Sequence, residues 1–224
     1  MRRPEVQCPL LHRQPDIDDP RGFVEALASA PLIELGQPWR PELESAFRPA
    51  RVRCAWVPQA LLVHADLRDD EIFSQSSGPN QRTWELGDVF EMFFQPGGAT
   101  RYFELHVTPS NWRAQFFFSE AGAAMQPLED GFFASRTKAN HATGRWEVLA
   151  CIPATLFSQS GTLRAGAETG FSFCRYDATR SGGQPVLSSS SPHPVPKFHR
   201  PAEWGRLRFG QVETSKIGWQ GAPI

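Results

Sequence analysis

From Arg51 onward, runs of four to eight residues rich in Val, Phe and Trp alternate with clusters of Gly, Pro, Asn and Ser. Runs this short, bounded this often by turn formers, fit antiparallel strands and leave no room for a helical core. Strands are expected near residues 51–57, 60–67, 88–95, 101–108, 112–119, 132–138, 145–152, 170–177 and 205–210. Several alternate with period two, so Val52, Cys54 and Trp56 share one face, as do Phe103, Leu105 and Val107. Behind the second set stands a polar row of Tyr102, Glu104 and His106, whose plain reading is a solvated outer sheet face.

The first fifty residues hold one helical signal, "DDPRGFVEALASAP", with Asp19 as N-cap, Pro20 at the first helical position and Pro31 as the stop. The expected fold is therefore all-β: an antiparallel β-sandwich of immunoglobulin-like or jelly-roll type with a short N-terminal helix. Residues 1–50 are expected to form an extension packed on a sandwich of residues 51–224, the two making one domain. A chain of 224 residues buries enough surface to need neither disulfides nor a structural metal.

The formal net charge is -1 and no block of like charges occurs, which argues against a nucleic-acid or anionic-membrane surface. Cysteines 8, 54, 151 and 174 lack metal-ligand spacing and read as buried thiols. The opening "MRRPEVQCPLLHRQP" has no apolar stretch of the secretory kind and no run long enough to cross a membrane follows, so a cytoplasmic or mature exported protein is expected. The long loops at residues 73–83 and 178–196 are candidate ligand-binding segments.

Taken in order, "TWELGDVFEMFF", "RYFELHV", "GRWEVLACIP", "FSFCRYD" and "KFHRPAEWGRLRF" resemble family 9 carbohydrate-binding modules and their bacterial relatives over roughly residues 50–210. The resemblance implies non-catalytic binding of a small glycan or a polysaccharide end, with an aromatic ring stacked on the apolar face of a pyranose and polar side chains on its hydroxyls. Trp84 matches the stacking residue and Glu91 the motif's acid, while His106 stands where sugar-binding relatives carry a basic residue. Glu104 shares the His106 face. Arg175 agrees with the family pattern as a pocket-mouth residue, but period two also sets it beside Phe171 and Phe173, where it would be a buried ion pair. His199 either bonds the closing loop or reaches ligand. Phe198 packs inward, Pro201 and Gly205 turn the chain into the last strand, and Trp204 packs at the core or its rim.

Ser190 takes the place of a second stacking aromatic, which weakens the expected grip and leaves open an interaction domain with a decayed sugar site. Two further readings use the same residues. Glu91 and Glu104 on neighbouring strands could form a glycosidase pair, although no nucleophile motif accompanies them; Met92 and Met125 could serve a haem-binding sandwich. Family 9 modules can carry structural calcium, and Asp66, Asp69 and Asp70 offer carboxylates, but not with the spacing of a dedicated calcium loop. No metal or cofactor is assigned. The register of the strands flanking "PGGAT" decides between readings: an even turn sets Glu91 beside Glu104 and His106, an odd one turns it into the core with Leu105.

Overall fold

A computed structural model describes residues 3–211; residues 1–2 and 212–224, the ends of the two expected units, lie outside the described residues. Two sheets face each other. The larger takes its strands in the order β1 (Glu5–Cys8), β13 (Gly205–Phe209), β11 (Glu168–Asp177), β5 (Val89–Pro96), β6 (Tyr102–Val107), β7 (Arg113–Phe118) and β8 (Gln126–Pro127), with β12 (Val186–Ser189) on the other end of β11. The smaller runs β2 (Ile33–Glu34), β3 (Ala50–Val57), β4 (Ala60–Arg68), β10 (Arg145–Pro153), β9 (Ala134–Asn140). The all-β sandwich follows. All nine expected strands are present, and the four unforeseen ones, β1, β2, β8 and β12, are only two to four residues long, too short to show a period.

Between the sheets, alternate residues interdigitate: Val52, Cys54, Trp56, Leu61, Val63, Trp146 and Val148 from one side meet Phe90, Met92, Phe94, Leu105, Phe171 and Phe173 from the other. The first fifty residues are part of this layer, since Cys8, Ile33 and Leu35 lie in the same core. β1 pairs in parallel with β13 and β2 pairs with β3. The N-terminal segment thus contributes an edge strand to each sheet.

The outer faces are also buried. Strands such as "VFEMFF" and "LLVHADL" are apolar at consecutive positions, so either choice of core face leaves apolar side chains on the other. On the small sheet, Leu62, Leu149 and Cys151 are covered by α1 (Pro20–Ala26) through Phe23 and Leu27. Asp19 caps that helix, accepting from the Gly22 amide at 3.1 Å. On the large sheet, Phe93, Tyr102, Phe116 and Phe118 are covered by Phe198 and Trp204 of the closing segment. The Tyr102, Glu104 and His106 row is consequently buried, not solvated. The four cysteines are free and buried. No helix among the described residues is long and apolar enough to cross a membrane.

The "EWGRLRF" entry into β13 depends on close backbone approach. A Cβ on Gly205 would lie 2.6 Å from Pro4 Cγ, 2.8 Å from Pro4 O and 2.7 Å from the Phe171 ring, distances that demand movement of backbone as well as side chains. Gly205→Ala is expected to destabilise the protein by about 1–3 kcal/mol, read as a lower urea midpoint at unchanged m-value; an unchanged midpoint would show that β1 and β13 can separate without cost.

Candidate functional site

β5 and β6 pair with Glu91 opposite His106, Met92 opposite Leu105 and Phe93 opposite Glu104. This is the even turn. Met92 and Leu105 go to the core, and Glu91, Glu104 and His106 go together to the outer face. They are 2%, 3% and 0% exposed, at and beneath the floor of a pocket of about 600 Å³. Its walls include Trp84, Tyr176, Phe118 and Phe198, and its rim Arg82, Lys197, His199 and Arg200. The ends of both expected loops contribute, through Arg82 and Pro196, together with Ala123 and Met125 from a third.

Trp84 sits on a short 3-10 turn, Thr83–Glu85, and is half-buried. Its ring meets His106 and Phe116 edge-on, with centroids 5.5 Å and 6.2 Å away, and the Arg82 guanidinium lies 5.2 Å from its centre. Beneath it, His106 Nε2 donates to Glu104 Oε1 at 2.8 Å and stands 3.3 Å from Glu91 Oε1. His106 Nδ1 is fixed by the Thr83 hydroxyl at 2.7 Å. The half-exposed His199 is fixed likewise, its Nδ1 to the Tyr102 hydroxyl at 2.9 Å, with Nε2 turned to Glu104 Oε1 at 3.7 Å.

Two carboxyls and one imidazole out of water cannot all hold their ordinary charge. Burial pushes the Glu91 carboxyl up to about 8, His106 pulling it down and Glu104 adding to the rise. For His106, burial favours the neutral ring, yet Glu91 and Glu104 outweigh it and the imidazole pKa is raised.

Arg175 does not join this group. It shares the inner face with Phe171 and Phe173, as period two required, and is buried between the sheets. Its Nη2 contacts Asp69 at 2.8 Å and Asp177 at 3.1 Å, and Nη1 donates to the Arg68 carbonyl. The structural ion pair is therefore the alternative realised, because β11 turns successive side chains to opposite faces and Tyr176, not Arg175, reaches the pocket.

The three aspartates weighed for calcium diverge to three arginines: Asp66 to Arg145, Asp69 to Arg175 and Asp70 to Arg48. Asp69 instead approaches Asp88 and Asp177. There the Arg175 guanidinium already supplies the positive charge, and both Asp88 oxygens accept backbone amides, from Phe73 and Ala178. This donor set does not fit calcium. Burial, with Asp69 adding, pushes Asp88 up to about 8; burial also raises Asp177 to about 6, against the pull of Arg175. Of the two methionines weighed for haem, Met92 is inside the sandwich and Met125 is exposed on a loop at the pocket.

Ser190 lines a different groove, beside Gly36 and Pro38. Its hydroxyl accepts the Phe173 amide at 2.9 Å. Tyr176 is the aromatic that shares the pocket with Trp84. Sequence reasoning passed over it, along with Phe118 and Lys197. For Tyr176, the signal was its place two residues beyond Cys174, on the face opposite Arg175.

No family model matches the chain, and no curated protein matches it. Among solved structures, it is similar to a provisionally named carbohydrate-binding protein of Bacteroides uniformis ATCC 8492, with a TM-score of 0.74 and 21% identity over 92% of this chain and 97% of that one. It is also similar to a family 9 carbohydrate-binding module of Caldicellulosiruptor kristjanssonii in complex with cellotriose, with a TM-score of 0.63 and 16% identity over 97% of this chain and 98% of that one. The glucose complex of a family 9 module from the same organism gives 0.61 and 16%, over 97% and 100%. The fold is that of the family 9 modules.

Two predictions follow from the buried charges. Arg175→Met leaves Asp69 and Asp177 facing each other without their cation and should cost about 3–5 kcal/mol, measured by urea denaturation; a loss below about 1 kcal/mol would show that the carboxyls simply take up protons. Stability should also depend on pH. Asp177, Asp88, Glu91 and His106 hold protons more tightly folded than unfolded, so their contribution is complete in acid and is lost as pH rises through about 6 for Asp177 and about 8 for Asp88 and Glu91. Burial lowers His64 and His193, which act oppositely and favour the fold above the ordinary histidine range. The four raised groups outweigh the two lowered histidines, so thermal melts should fall as pH rises from about 5 to 9, by about 5 °C or more in all; a flat profile over that range would contradict the raised carboxyls.

Proposed function

We propose that this chain binds carbohydrate without cleaving it, holding a small glycan or a chain end in the pocket between Trp84 and Tyr176. The observation that carries this reading is the meeting, in one pocket of about 600 Å³, of a half-buried indole with two nearly buried carboxyls. A pyranose offers an apolar C–H face and a rim of hydroxyls. Trp84 suits the first, by the stacking that aromatic rings afford. Glu91 and Glu104 suit the second, as acceptors fixed from below by His106. His199, Lys197 and Arg200 on the rim supply donors. A pocket with a floor takes the end of a chain more readily than its middle, and its size fits a ligand of one or two sugar rings. The family 9 modules of C. kristjanssonii, complexed with cellotriose and with glucose, share the fold, which supports sugar as the ligand class.

The glycosidase reading is the weaker one on geometry. A hydrolytic pair must flank the scissile bond with the sugar between the two carboxyls. Here both carboxyls converge on one imidazole, within 4.8 Å of each other and of it, nearer than the separation of either glycosidase geometry. Partners other than sugar have less support: the near-neutral charge gives no phosphate-tracking surface.

Calorimetric titration in chelator with glucose, cello-oligosaccharides and a broad glycan panel tests the proposal. Weak binding is expected, micromolar to millimolar, because one stacked ring and a few solvent-competed hydrogen bonds leave little after ordering costs. Trp84→Ala should abolish it while lowering stability by only about 1–2 kcal/mol. Absence of binding to every sugar in the panel, or binding that survives Trp84→Ala, would sink the assignment. Reducing sugar released from xylan or cellulose, and lost in Glu91→Gln, would replace binding with hydrolysis.

A further inference from the structure

We propose that the pocket floor is also a binding site for a divalent transition metal of the zinc type, ligated by Glu91, Glu104 and His106 with His199 as the fourth ligand. Donor atoms of Glu91, Glu104 and His106 lie within 4.8 Å of one another. Bonds of about 2.0–2.1 Å in a tetrahedron place neighbouring donors about 3.3 Å apart. His106 Nε2 stands 3.3 Å from Glu91 Oε1, and His199 Nε2 stands 3.7 Å from Glu104 Oε1. The His106–Glu104 hydrogen bond of 2.8 Å must open by about half an ångström, and His199, which stands outside the close-set trio, must swing inward to complete the tetrahedron.

Both imidazoles are oriented as metal ligands are. Each has its Nδ1 held by a hydroxyl, Thr83 for His106 and Tyr102 for His199, which leaves Nε2 directed at the carboxyls. Such outer partners fix ring orientation and the nitrogen available to the metal. The independent sign of a missing ligand is Glu91. Its carboxyl is 2% exposed, faces the pocket, and makes one ion-pair contact among the described residues, with His106 Nε2 at 3.3 Å, while the Glu104 carboxyl crowds it from the side. Keeping such a group ionised on a single imidazole contact is costly, and a cation at the floor would remove that cost. Two imidazole nitrogens favour zinc and its neighbours over calcium or magnesium. The rim cations Arg82 and Arg200 are engaged by Glu85 and Glu203, while Lys197 is exposed.

The test uses the full chain without sugar, so its outcome is separate from the sugar titration made in chelator. Calorimetry with zinc chloride should give one site of micromolar or tighter affinity, with no comparable binding of calcium or magnesium. His199→Ala changes a half-exposed side chain and should weaken zinc binding about tenfold or more; Glu91→Gln, nearly the same shape, should do the same. Should Glu91→Gln fail to fold, His199→Ala still decides. Lack of stoichiometric binding, or zinc binding unchanged in His199→Ala and so attributable to exposed histidines such as His12 or His141, would overturn the proposal.

Discussion

The antiparallel pairing that sets Glu91 opposite His106 decides both halves of the molecule at once. Because side chains alternate strictly along a strand, that register sends Phe90, Met92 and Phe94 into the sandwich and leaves Glu91 beside Glu104 and His106 on the outer face. A slip by one residue would bury an unpaired carboxylate among phenylalanines and expose the core set to the outside. The apolar inner face thus enforces the geometry of the polar outer one. No side chain of the site has to hold the register itself.

The same sheet carries charge on both faces, and handles it differently on each. Inside, Arg175 is surrounded by Asp69 and Asp177, with Nη1 donating to the Arg68 carbonyl, so the ion pair locks the end of β4 to β11. Outside, the imidazole of His106 lies against two carboxyls that open into a pocket. The first arrangement is closed and structural. The second keeps acceptor capacity facing solvent, which is what a ligand with several hydroxyls, or a metal ion, can use.

The closing segment ties these together. Phe198 and Trp204 pack on Phe93 of the outer face, and Trp204 donates to the Phe198 carbonyl at 2.9 Å, so the Phe-His-Arg-Pro corner is held as a compact lid. Held this way, His199 is delivered to the rim with its Nδ1 on Tyr102. The corner is therefore structural through its aromatics and available for function through its histidine.

What the amino-acid sequence determined by itself was the local order: short strands, their faces, the capped helix, and the placing of Glu91, Glu104 and His106 on one side once the turn is even. Period and turn chemistry are local properties, and they suffice for that much. It also carried, unread, the coverage of both sheets, since consecutive apolar residues in β5 and β4 require a second buried face. Only the tertiary structure decided which alternative Arg175 took, that Tyr176 and not residue 190 stands in the pocket with Trp84, and that β1 and β2 enter the sheets. Those outcomes depend on which segments far apart in the chain come to lie against each other, as Asp69 does against Arg175 and Tyr102 against His199. No periodicity within a strand encodes the identity of such a partner.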